Sequence, residues 1–282
     1  MKLAVFHVSN FIMQNEIEYK NSINFFEEKG FKVIRPIEEF KKFDKEIALP
    51  FEFNKVIKRD CVLALPSFCE KDTDYFLDKI DYKDISKTQT TFCGNSFVTP
   101  ILNAISIKSK NPVFYGPNFI TQFNLETKEE LYIDLIQKLT SKEQLKYYKD
   151  ENYLFHGSKI IKGILIGGEI NSLIKFWNTK YSFKINQNSI LFIDGIINNI
   201  DELTKILTFL DLNNVFKKVK AIIFCETILD DRVIFEMLIK KFKNINKANL
   251  VVGFSGMFSS KISIIKLNSE IKIDFKNKVI IQ

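Results

Sequence analysis

Gly94-Asn95-Ser96 lies between a short apolar run and a helical one, which sets a serine at a sharp strand-to-helix turn. A hydroxyl is exposed at such a turn, and the first turn of the helix offers unbonded amide donors, a combination suited to nucleophilic acyl transfer. The hydroxyl needs a base to take its proton, ordinarily a histidine oriented by a carboxylate. This chain has only two histidines, His7 and His156. His7 falls at the C-terminal end of the first predicted strand, the edge where open α/β sheets build sites. His156 precedes the second half of the chain as a linker or surface residue. Neither is where the rest of the pattern would put a base, and a lysine substitute would leave no readable signal. The residues describe a serine hydrolase with an incomplete triad.

Two series of elements must position that serine. In the first half, strands at Leu3 to Val8, Phe31 to Ile34, Cys61 to Leu65, Thr90 to Cys93 and Pro112 to Tyr115 alternate with helical segments. The helices include one opened by Asn15 and Glu18 and stopped by Gly30, one over Asp72 to Ile80, and Val98 to Lys108 after the serine. Alternation of this kind predicts an α/β protein with a doubly wound parallel sheet. Thr127 and Glu130 open a helix with Leu131, Leu135 and Leu139 on one face. The polar, aperiodic stretch that follows reads as a linker, giving an N-terminal domain over 1–140, a linker over 141–158 and a smaller, mixed α/β domain over 159–282. In that second part, strands are expected at Ile164 to Ile166, Ile190 to Ile193, Ala221 to Phe224 and Leu250 to Val252. Helices are expected after Asn199 and over Asp230 to Phe242. Ile262 to Leu267, Glu270 to Asp274 and Val279 to Ile281 look like a small sheet at the tail.

Composition narrows the function classes. The formal charge is +7, but Arg35, Arg59 and Arg232 are the only arginines, so lysine supplies 38 of the 41 basic residues. Arginine is the usual bidentate reader of phosphate and guanine, and the lysines here are scattered, which argues against nucleic acid as a partner. Cys61, Cys69, Cys93 and Cys225 form no CxxC pair, so no metal site or cofactor is expected, and cysteines within strands read as small buried hydrophobes. The apolar run at the N-terminus is too short for a signal peptide, and no run of about 18 apolar residues exists to span a membrane. A soluble, reduced, cytoplasmic protein is the expectation.

Two collinear stretches resemble the LD-carboxypeptidase family of serine peptidases, which includes murein tetrapeptide carboxypeptidases and microcin C self-immunity peptidases. One runs from Asp81-Tyr82 through Phe92-Cys93-Gly94-Asn95-Ser96-Phe97-Val98-Thr99 to Phe114-Tyr115-Gly116-Pro117. The other runs from Gly163 through Gly167-Gly168, Thr179 and Ile190-Leu191-Phe192-Ile193-Asp194 to Phe216 through Ile223. The resemblance implies a site between two α/β domains, with Ser96 as nucleophile and Asp194 where the family has a glutamate. It puts Met257 at the position of the triad histidine. Phe97, through its amide, and Ser67 and Phe68, in place of an arginine-glycine-glycine turn, take the oxyanion positions. Tyr115 stands for the histidine of the family's histidine-glycine-proline. Asp194-Gly195 is equally readable as turn chemistry, and Gly167-Gly168 either cradles an anion or permits tight packing. Trp177 reads as core or interface packing.

The resemblance thus implies a homologue whose peptidase chemistry is absent or much reduced, in a homodimer that keeps a cleft for a small peptide or murein fragment. An active carboxypeptidase with a non-histidine base and a non-catalytic dimeric scaffold are the alternatives. Closure of the space around Ser96 by Phe68, Phe97 or Met257 would favour the scaffold.

Overall fold

The computed structural model describes residues 1–8, 16–35, 45–68, 73–141, 146–147, 153–241, 249–259 and 262–282. The first half contains β1 (Lys2–Phe6), α1 (Glu16–Glu28), β2 (Lys32–Ile34), α2 (Lys45–Ile57), β3 (Leu63–Pro66), α3 (Asp74–Leu77), α4 (Tyr82–Ile85), β4 (Thr91–Gly94), α5 (Thr99–Lys108), β5 (Val113–Tyr115) and α6 (Lys128–Thr140). The second half contains β6 (Lys146–Tyr147), β7 (Leu154–His156), β8 (Ile160–Glu169), α7 (Ile170–Lys175), β9 (Ser189–Asp194), α8 (Ile200–Leu212), α9 (Val215–Lys218) and β10 (Ala221–Cys225). It closes with α10 (Asp231–Lys241), β11 (Asn249–Phe254), β12 (Ile265–Leu267), β13 (Glu270–Asp274) and β14 (Val279–Ile281).

The expected α/β architecture is present. The first sheet has the order β12-β5-β4-β3-β1-β2, parallel throughout except for β12. Strand order reverses between β1 and β3, as doubly wound sheets require if right-handed crossovers are to cover both faces. Strand β3 is buried along its whole length and β1 from Leu3 to Phe6, so both read as continuous apolar runs. The second sheet has the order β6-β14-β13-β8-β9-β10-β11-β7, with β8 to β11 parallel and antiparallel strands at both flanks.

Four features depart from the sequence reading. The segment 141–158, read as a linker, contributes β6 and β7 to the second sheet. The tail expected to form its own sheet is divided, with β12 pairing β5 in the first sheet and β13 and β14 joining the second. Helix α2 has no clear signal, because Pro50 lies inside it. Its Phe53 nevertheless packs edge-on against Phe6 and Phe76, so burial overrides the local penalty. Thr127 precedes α6 without a side-chain cap, whereas Asn199 caps α8 by accepting from the Glu202 amide. Asn15, Asp72, Cys69 and Phe242 lie outside the described residues.

Candidate functional site between the two sheets

Ser96 begins a 3-10 turn over Ser96–Val98, directly after β4, with φ at +61°. A left-handed φ is strained for a residue with a Cβ, and surrounding bonds must hold it. The Asn95 side chain donates to the Gly116 carbonyl at 2.8 Å and accepts from Asn118 Nδ2 at 3.1 Å. The Ser96 amide donates to the Tyr115 hydroxyl at 3.2 Å, and its carbonyl accepts from Thr99 Oγ1 at 2.7 Å. These bonds fix the main chain. Among the described residues no hydrogen bond reaches Ser96 Oγ, and the residue is only 8% exposed.

Neither histidine meets it. His7 Nδ1 lies 2.6 Å from Ser67 Oγ. Strand β3 lies between β1 and β4, so His7 ends a strand about 9–10 Å to the side of the one that carries Ser96. Burial holds its imidazole neutral, with the pKa lowered to about 3. His156 is opposite Leu250, near the start of β11, whereas Met257 follows the end of that strand. About four residues of rise, roughly 13 Å, separate His156 from the site end of the sheet.

Asp194 ends β9 and is 1% exposed. Its Oδ1 accepts from the Gly195 amide at 2.8 Å and its Oδ2 from the Met257 amide at 2.9 Å. The Tyr115 hydroxyl, held by the Ser96 amide, lies close enough to the same carboxylate to pull its pKa down. Burial raises the Asp194 pKa to about 6, against the pull of the Met257 amide, the Tyr115 hydroxyl and the Gly195 amide. The turn at Gly256 closes tightly here, since a Cβ on that residue would fall 2.7 Å from Asp194 Oδ1. A polar cluster therefore gathers the Ser96 amide, the Tyr115 hydroxyl, the Asp194 carboxylate and the Met257 amide. It joins β5 of the first sheet to β9 and the turn after β11 of the second. Tyr115 is the residue that sequence reasoning missed, because position 115 registered only as a departure from a motif.

Ser96, Asp194 and Met257 are thus brought together, and the other candidates have other work. Ser67 commits its amide to the Phe6 carbonyl and its hydroxyl to His7, so it presents no donor to an oxyanion. Phe68 and Phe97 are half-buried against the main core, and the Phe97 carbonyl accepts from Thr73 Oγ1. Gly167 and Gly168 allow close approach: added Cβ atoms would meet the Phe192 carbonyl oxygen at 1.9 Å and Thr99 Cγ2 at 2.5 Å. No anion is cradled at the helix that follows, because the Glu169 carboxylate itself accepts from the Asn171 and Ser172 amides of α7. The Glu169 amide donates to Thr99 Oγ1 and Asn103 Nδ2 donates to the Gly167 carbonyl, bracing α5 directly behind Ser96. Cys61, Cys93 and Cys225 are buried, and burial pushes their thiols up, away from thiolate chemistry. Among the described residues no helix is long and apolar enough to cross a membrane.

Comparison with known proteins agrees with this fold. Residues 162–255 match the LD-carboxypeptidase C-terminal domain. The microcin C7 self-immunity protein MccF of Escherichia coli is 26% identical over 261 residues, covering 80% of this chain and 75% of the relative. The wild-type apo structure of that self-immunity protein superposes with a TM-score of 0.88 at 24% identity, over 99% of this chain and 95% of the other. The muramoyltetrapeptide carboxypeptidase of Oxalobacter formigenes superposes with a TM-score of 0.79 at 18% identity, over 100% and 97%.

Proposed function

This chain belongs to the LD-carboxypeptidase family, and from that premise we propose that it is a member in which acyl-enzyme hydrolysis is lost or greatly reduced. One observation carries the reading. The carboxylate that would orient a triad histidine accepts instead from two backbone amides, and neither imidazole is bonded to it or to Ser96. An unassisted hydroxyl is a poor nucleophile, and loss of a triad base costs roughly four to six orders of magnitude in rate. Burial of Ser96 itself adds to the argument.

On this reading the protein acts by binding a small peptide or murein-fragment ligand between the domains, as a cytoplasmic homodimer. Relatives solved with glutamyl sulfamoyl guanosine and aspartyl sulfamoyl adenosine support a small ligand of that size. A fluorophosphonate probe separates silent from active protein. The expected outcome is no covalent adduct on Ser96 by mass spectrometry, with hydrolysis of an L,D-tetrapeptide equal for wild type and Ser96→Ala. An adduct on Ser96, or hydrolysis that the variant abolishes, would overturn the reading.

A further inference from the structure

A cavity of about 710 Å³ opens at the far end of the second sheet from Ser96, a volume within the usual range for small-molecule sites. Ser189, which begins β9, is in its wall, whereas Asp194 ends that strand, so about 16 Å of strand separates the two places. The cavity owes nothing to the candidate hydrolase site.

Its lining has an unusual balance. The floor is apolar, with Ile166, Phe183 and Val215 buried. Trp177 stands on one side, its ring held edge-on by Phe183 and Phe209 at centroid distances of 6.2 and 5.4 Å. Among the described residues the polar part of the wall is asparagine, serine, threonine and lysine, and no aspartate or glutamate lines it, although the chain has 34 acidic residues. Lys180 is already engaged by Asp78 at 2.7 Å. Lys184 and Lys218 are exposed at the rim, with no acidic partner among the described residues. A concave site with an aromatic wall, amide side chains and two unneutralised cations is complementary to an anion attached to an apolar body. It repels a cation and offers a bare inorganic ion only half of its surface.

We propose that this cavity is a binding site for a small organic anion, a phosphate or carboxylate on a flat apolar body, with Lys184 and Lys218 on the anion and Trp177 against the body.

Trp177 is the chain's only tryptophan, so its fluorescence reports this site alone. Full-length protein is titrated with phenyl phosphate, benzoate, phenol and inorganic phosphate. Saturable quenching by phenyl phosphate or benzoate is expected, weakened at least tenfold in the Lys184→Ala/Lys218→Ala double variant and by added salt, and unchanged in Ser96→Ala. The contrast between the two anions tells phosphate from carboxylate. The proposal fails if neither gives saturable quenching, if phenol or inorganic phosphate binds as tightly, or if the double variant and salt leave the affinity unchanged. Covalent labelling and hydrolysis read Ser96 whereas this titration reads Trp177, so failure here and failure of the silent-hydrolase reading are separately visible.

Discussion

Asp194 and His7 are both buried, and their titrations act on stability in opposite senses. The pKa of Asp194 is raised to about 6 in the folded protein, above the ordinary value near 3.9 of an unfolded chain. Between those values the folded state holds a proton that the unfolded state has released, so this group's contribution to stability falls as pH rises. Asp194→Asn loses an acceptor for the Met257 amide at every pH, but it also removes this titration. The deficit of the variant relative to wild type, measured by urea unfolding, is therefore expected to shrink by about 2 kcal/mol between about pH 4.5 and about pH 7.5. A deficit independent of pH would show that the carboxylate titrates normally. His7 runs the other way. Its pKa is lowered to about 3, so the fold holds it neutral and loses stability as pH falls below the ordinary imidazole value of about 6.5. The residue scale was partly legible beforehand. The serine turn and the want of a base could be read from residue types, but the placing of Tyr115 beside Asp194 could not, because nothing local relates the two.

At the scale of elements, α5 carries the strained serine turn at its N-terminus and leans on the end of β8. Contact is close because Gly168, at φ +137°, has no Cβ to strike Thr99. Gly168→Ala is expected to cost about 3 kcal/mol or more in urea unfolding, from backbone strain together with overpacking. Gly30 is the control. It also has a positive φ, but nothing lies within 4 Å of an added Cβ, so Gly30→Ala should cost only about 1 kcal/mol. Equal costs would mean that contact between helix and strand does not constrain the turn. The glycine pair was visible in the sequence with two meanings, and the choice between packing and anion binding needed the position of Thr99, 69 residues earlier.

For the molecule as a whole, the two sheets do not form separate bodies. The larger apolar cluster includes Leu3, Phe92 and Tyr115 from the first sheet and Phe192, Val251 and Phe254 from the second. Tyr115 and Phe192 meet with centroids 5.1 Å apart. Strand β12 leaves the second half to pair with β5. Tyr181 and Lys180 reach Asp78 across the junction, with Lys108 over the Tyr82 and Tyr181 rings. Shared burial of this kind couples unfolding, so thermal transitions followed by Trp177 fluorescence, which sees only the second half, and by far-ultraviolet circular dichroism should coincide. Two separated midpoints would refute the common core.

The sequence by itself determined the alternation of strands and helices, the serine at a strand-to-helix turn and the poverty of candidate bases, because each is written in residue type and near-neighbour spacing. Only the tertiary structure decided which groups satisfy Asp194, where the tail strands pair and that a donor-lined cavity opens beneath Trp177. Those outcomes depend on contacts between residues distant in the chain. Burial decides them, by requiring that every polar group taken from water find a partner wherever the fold supplies one.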